Sequence, residues 1–196
     1  WTMASNSCKA WAKNAKETGK IVITSDMAAD AEAMVESVKS HPEAAQIIGA
    51  AQVQAELAWV DGGTGVNLTG RADFIDLDSG VICDLKTCTD ASPSEFARHA
   101  ASFRYYVQLA MYADAIMYMH GKPTSHHLII AVESTAPYGC AVYEIGPDDI
   151  EAGRKWYRSV CQKWAWQAAE YAQKVTKSVT YSDFIEPLAM PKWINY

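Results

Sequence analysis

Residues 70–87 read GRADFIDLDSGVICDLKT, two β-type runs divided by the turn residues Asp78-Ser79-Gly80. Apolar and polar residues alternate on both sides of that turn. Yet Asp73, Asp84 and Lys86 stand where side chains should pack or pair. In an antiparallel hairpin without a bulge, the turn fixes the register. A turn centred on Asp78-Ser79 sets Asp73 opposite Asp84, and Arg71 opposite Lys86 two residues along the same face. The glycine-rich turn Asp61-Gly-Gly-Thr-Gly65, centred on Thr64-Gly65, sets Glu56 opposite Asp73 in turn. Three carboxylates, Glu56, Asp73 and Asp84, are therefore expected side by side on neighbouring strands with Lys86 beside them. Asp76 falls on the opposite face and Asp78 in the turn, so both read as structural.

Clustered carboxylates repel unless a cation lies among them, and hard oxygen ligands suit Mg²⁺ or Mn²⁺. Such an ion polarises a phosphoryl oxygen, makes hydroxide from water and stabilises a departing alkoxide. Lys86 is then placed to orient the attacking water or to offset charge in the transition state. The same spacing also fits a solvated strand face on which Arg71 and Lys86 pair with the acids.

With 196 residues, 49% of them hydrophobic, the chain has material for one domain around a single core. No window is apolar enough to span a membrane. A net charge of -6 argues against coating nucleic acid through overall basicity but leaves room for a local basic groove. Five cysteines without a C-x-x-C pair point to reduced thiols and a cytoplasmic setting, with Cys83 and Cys88 as buried small hydrophobes. The chain opens on Trp1 with neither an initiator Met nor a signal-peptide pattern, which reads as a piece lacking an upstream segment.

Helices are expected over residues 5–18, from Ser25 as N-cap to 39, and over 42–49. Strands follow over 52–60, 67–77 and 81–87. Ser92-Pro93-Ser94-Glu95 has the form of a capping box, opening one helix that runs to His120. Strands over 126–134 and 140–145 precede a long helix from Pro147. On that last helix Trp156, Val160 and Trp164, with Ala168 and Tyr171 near the same stripe, are expected to pack on the sheet, not to stack bases. His126 and His127 point to opposite faces of a strand and are no metal pair. Residues after Thr180 read as irregular. The order helix, three strands, helix, strand gives an α/β sandwich, a mixed sheet with helices against it.

Asp73 followed after ten residues by Asp84-Leu-Lys-Thr87 resembles the signature of the PD-(D/E)XK nuclease superfamily, whose restriction-endonuclease-like core has this same order. Gln108-Leu-Ala-Met-Tyr112 resembles the Q-x-x-x-Y motif of the RecB-like branch. Gln108 and Tyr112 lie one turn apart on one helix face. Arg104, a turn earlier, is placed for a bidentate phosphate contact. Residues 81–113, and Ala131-Val-Glu133 followed by Pro137-Tyr-Gly139, resemble the RecE-type exonucleases (exodeoxyribonuclease VIII) of phages and prophages.

The resemblance implies one nuclease domain over residues 1–196, with Asp73 and Asp84 as metal ligands and Glu56 and the Leu85 carbonyl as further ones. It implies a catalytic Lys86, with Gln108 and Tyr112 positioning the strand near the scissile phosphate, and DNA contacts from Arg71, Thr87 and Arg104. The implied activity is Mg²⁺-dependent digestion of duplex DNA ends, 5′ to 3′, with Mn²⁺ able to substitute. The resulting 3′ single strands would pass to a single-strand annealing recombinase. A ring-shaped homotetramer, phage- or prophage-encoded and cytoplasmic in a bacterial host, is implied as well. Ala72 in place of Pro, and Asp84 in place of the commoner Glu, leave that chemistry intact. The upstream histidine of RecB-like metal sites has no match, since His41 precedes a proline and His99 lies downstream. Two other readings use the same residues: a RecB-like repair or CRISPR-adaptation nuclease, the latter typically with a four-cysteine Fe–S cluster, and a nuclease-like fold that only binds DNA.

Overall fold

The computed structural model describes residues 5–174. Three helices lead: α1 (Asn6–Glu17), α2 (Ser25–Ser40) and α3 (Pro42–Ala50). Each begins where a side chain satisfies an orphan amide. Ser5 accepts from Cys8 N, Thr24 from Met27 N and His41 Nδ1 from Ala44 N. The N-cap of α2 is thus Thr24, one residue before the expected Ser25.

The strands β1 (Gln52–Val60), β2 (Asn67–Asp76), β3 (Val81–Cys88), β4 (His126–Glu133) and β5 (Cys140–Glu144) form one sheet in chain order. All neighbours are antiparallel except β3 and β4, which are parallel. A parallel pair needs a crossover, here made by α4 (Pro93–Phe103) and α5 (Tyr105–His120). On one face Leu57, Trp59, Ile82 and Ile129 pack against Leu109 and Ile116 of α5. On the other, Phe74, Cys83, Ile130 and Val132 pack with Val38 of α2 and Ala44 of α3. The sheet between helical layers is the architecture expected from the order of elements. All five cysteines are free thiols, and burial pushes Cys83 up to about 12. Among the described residues no helix is long and apolar enough to cross a membrane.

Two expectations about helices fail for identifiable reasons. The single helix to His120 is two, because Arg104 takes a left-handed conformation at φ 56° and its N–H turns back to Ala100 O and Ala101 O. The capping box does not form either. Ser92 makes no side-chain cap, and Glu95 pairs with Arg98 at 2.5 Å.

The final helix α6 (Pro147–Lys174) does not pack through its tryptophan stripe. It lies on α5 through Tyr157 and Cys161 against Val107, with Leu68 of β2 against the same cluster. Asp114 of α5 sets its rotation by accepting from Arg154 Nε at 2.7 Å and Arg158 Nη2 at 2.7 Å, and from the Tyr157 hydroxyl. Trp156, Val160, Trp164 and Tyr171 consequently face outward and are exposed. The tail beyond Thr180 lies outside the described residues.

Two helical glycines make opposite predictions. A Cβ on Gly153 would sit 2.6 Å from Tyr106 O, at the closest approach of α6 to α5, whereas one on Gly49 would meet nothing within 4 Å. Gly153→Ala should lower stability by about 1–3 kcal/mol through overpacking. Gly49→Ala should gain up to about 1 kcal/mol from reduced backbone entropy. Urea denaturation of both variants checks the pair, and a stabilised Gly153→Ala would contradict this packing.

Candidate active site

β2 and β3 are paired in the register set by the Asp78-Ser79 turn, from Asp76 opposite Val81 to Phe74 opposite Cys83. There the ladder stops and the strands part. The Leu85 N–H, no longer opposite a β2 residue, is met by Asp73 Oδ2 at 2.9 Å. A carboxylate thus takes over from the backbone ladder as the partner of this amide. At the same level β1 is bent, with Gln54 at φ 54°. Both strands switch faces here: Phe74 packs on the α2 side, while Ala55 and Ala72 pack on the α5 side.

The β1–β2 register corrects the expected alignment of three acids. Gln54, not Glu56, stands beside Asp73 and donates from Nε2 to Asp73 Oδ1 at 2.8 Å. Glu56 is opposite Arg71, and both are exposed. Arg71 is not the cross-strand partner of Lys86 either, because the β2–β3 ladder ends at Phe74 and Cys83. The β1–β2 register has its cause in the glycine-rich loop. Asp61 Oδ2 accepts from Thr64 N at 3.0 Å and from Thr64 Oγ1 at 2.6 Å. This closes the loop over residues 61–66, with Val60 opposite Asn67, so its centre lies earlier than Thr64-Gly65 and the register moves by two residues.

The other acid is buried. Asp84 is 3% exposed and touches the Lys86 ammonium. From α5, Gln108 Oε1 accepts from Lys86 Nζ at 3.0 Å, and Gln108 Nε2 donates to Asp84 Oδ1 at 3.4 Å. The same Nε2 donates to the Tyr112 hydroxyl at 2.9 Å, and that hydroxyl donates to Arg71 O at 3.0 Å. The Tyr112 ring fits only because residue 70 is glycine, since a Cβ there would lie 2.8 Å from Tyr112 Cε1. Beneath Lys86 is the Tyr105 ring, its centroid 4.8 Å from Nζ, with the Tyr105 hydroxyl 2.9 Å from His99 Nε2.

Burial pushes Asp84 above the usual carboxylate range, Lys86 pulls it back, and the neighbouring Asp73 carboxylate raises it again. Apart from the Lys86 ammonium, Asp84 Oδ2 has no hydrogen-bond partner. A buried carboxylate oxygen in that condition, next to a second carboxylate, fits a divalent cation. Mg²⁺ in particular binds through one or two carboxylates and keeps water and substrate phosphate for its other positions. Asp73 and Asp84 supply two of the oxygens that such an ion would need. Among the described residues no group of three or more His, Cys, Asp or Glu could hold a metal.

The fold therefore brings together Asp73, Asp84, Lys86, Gln108 and Tyr112. Arg104 is nearby, lining a cavity of about 400 Å³ with Gln108 and Tyr112. Thr87 is not part of this cluster. It is exposed and lines a groove against Val35 of α2, together with the Leu85 side chain, on the other face of the sheet. His41 caps α3, His126 pairs with Glu144 at 2.9 Å, and His127 lies against Thr124 at 3.0 Å with burial lowering its pKa. Sequence reasoning missed Gln54, Gly70 and Tyr105. Only Gly70 carried a signal, a strand-interior glycine that marks close approach of a neighbouring group.

A model of the family described as "PDDEXK-like domain of unknown function (DUF3799)" matches residues 3–178. The chain belongs to this PDDEXK-like family. No curated protein matches it. Among solved structures it is similar to a putative exonuclease from Eubacterium rectale, with 14% identity and a TM-score of 0.58 over 80% of this chain. The chain spans 58% of that protein. It is also similar to a phage-related exonuclease from Haemophilus somnus 129PT, with 13% identity and a TM-score of 0.49 over 86% of this chain and 85% of that one. The PDDEXK-like assignment agrees with the mixed sheet and its helical layers, and the core is that of the PD-(D/E)XK nucleases.

The raised Asp84 pKa has a consequence for metal-free stability. Folded Asp84 keeps its proton to higher pH than the unfolded chain does. Stability is therefore lost as pH rises through the folded value. Asp84→Asn has no such proton, so its stability relative to wild type should improve between about pH 4 and neutrality. Urea unfolding in EDTA at both pH values measures this, and a constant difference would contradict the burial argument.

Proposed function

We propose that the chain is a metal-dependent DNA exonuclease of the RecE type. The observation that carries this reading is the meeting of Asp73 and Asp84 at the parting of β2 and β3, with Lys86 and Gln108 closing over them. A binding module has no use for two carboxylates aimed where a phosphate must approach, because they repel it.

Mg²⁺ held by Asp73, Asp84 and the Leu85 carbonyl would supply Lewis-acid polarisation of the scissile phosphate and a water of lowered pKa. The remaining work belongs to the chain. Lys86, fixed between Asp84 and Gln108 Oε1, presents its ammonium to the attacking water or to phosphate oxygens as negative charge builds. Gln108 holds both groups through one amide, and Tyr112, tied to Arg71 O, holds Gln108. Arg71 and Arg104, both exposed, offer phosphate contacts on either side. Digestion from 5′ ends, a tetrameric ring and delivery of 3′ strands to an annealing protein complete the proposal on the strength of the RecE resemblance.

The test is digestion of linear and closed-circular duplex DNA of the same sequence with Mg²⁺. Linear DNA should be lost from its 5′ ends, closed circles should survive, and EDTA should stop the reaction. Lys86→Ala and Asp84→Asn should each lower the rate by roughly 10²-fold or more. Metal-independent cutting, or full rates in both variants, would overturn the proposal.

A further inference from the structure

The outward face of α6 brings one tryptophan to the edge of the catalytic cluster. Trp156 is 40% exposed, and the Arg104 guanidinium lies over its ring at 4.6 Å from the centroid. The two line the cavity of about 400 Å³ whose wall also holds Phe103, Met111, Gln108 and Tyr112. Its size is within the range of roughly 300–1,000 Å³ typical of small-ligand sites. The lining thus joins aromatic and cationic groups to Gln108, which bonds both Lys86 and Asp84. Phe103, 65% exposed, adds a second ring, stacked on Tyr105 at 5.9 Å between centroids. Exposed aromatic faces beside an arginine are the means by which proteins hold unpaired bases, through π-stacking and a guanidinium plane.

We infer that this cavity is a nucleobase subsite. It takes one unpaired base, next to the scissile phosphate, against the Arg104–Trp156 pair. The inference rests on the nuclease reading above and adds to it the form of the substrate at the cut: a strand end separated from its complement, with one base turned out of the stack. The left-handed backbone at Arg104 serves this arrangement. It breaks the helix between α4 and α5 and puts Phe103 and Arg104 at the cavity mouth, where a continuous helix would have carried them along one axis. The Asp114 clamp serves it too, by setting the rotation of α6 that leaves Trp156 outward.

The experiment uses a 5′-fluorescein oligothymidylate of about 12 nucleotides, with a single abasic site moved along it, read by anisotropy in EDTA at low salt. Wild type should lose roughly 5- to 100-fold in affinity at one abasic position and little elsewhere. Trp156→Ala should lack that position-specific loss, and Trp156→Phe should recover most of it. Trp164→Ala, about 12 Å farther along α6, should keep it. Thermal melts confirm that the variants are folded. The subsite is overturned if Trp156→Ala retains the position-specific loss, or if Trp164→Ala abolishes it equally. It is also overturned if sedimentation shows that Trp156→Ala dissociates an oligomer, which would make this face a protein interface. Mg²⁺ digestion run in parallel separates the two claims. Cutting by wild type without the position-specific abasic loss overturns the subsite alone, whereas that loss without cutting upholds the subsite and overturns the nuclease reading.

Discussion

Asp84 keeps a carboxylate almost out of water next to a lysine, and the local structure is arranged around that demand. A buried ion pair costs more in desolvation than it returns unless its remaining valences are met. Gln108 meets Oδ1 and the Lys86 ammonium meets Oδ2, which has no further hydrogen-bond partner. For a second carboxylate to reach the same place, β2 must leave β3, and Asp73 can leave its ladder position only by capping the freed Leu85 amide. The bend at Gln54, the glycine at position 70 and the Tyr112 hydroxyl all follow from opening the sheet at that point. Well-packed apolar residues there would give a more stable protein, so the arrangement is kept for its chemistry.

On the nuclease reading proposed above, an acidic chain has to concentrate its cations where DNA would approach. With a net charge of -6, attraction cannot come from the protein as a whole. It would come from Arg71 on the exposed side of β2 and Arg104 beside the cavity, since the Lys86 ammonium is committed to Asp84. Other arginines are committed elsewhere: Arg154 and Arg158 to Asp114, and Arg98 to Glu95. Arg104 is held by an aromatic face, not an acid. That leaves its donors for phosphate and gives the α5–α6 contact a consequence at the catalytic cluster.

Much of this was legible in the chain. The strands and the β2–β3 register could be read because Asp78-Ser79-Gly80 makes a tight turn, and a tight turn leaves the register no freedom. The pairing of Gln108 with Tyr112 could be read because four residues make one helical turn. The β1 register could not. It depends on Asp61 binding Thr64 inside a longer loop, which alternation does not reveal. The break at Arg104, a non-glycine residue in a left-handed conformation, was hidden as well. The orientation of α6 was misread because its apolar stripe was assigned to the sheet, while the contact that sets its rotation is polar, Asp114 with Arg154, Tyr157 and Arg158.

The central claim is that Asp73 and Asp84 share one divalent cation while Glu56 stands apart. Isothermal titration of Mn²⁺ into the wild-type chain and three variants tests it without depending on catalysis. The account predicts uptake of one ion by wild type and by Glu56→Gln, and loss of uptake in Asp73→Asn and in Asp84→Asn. Uptake that survives both aspartate changes, or that vanishes with Glu56→Gln, would contradict it.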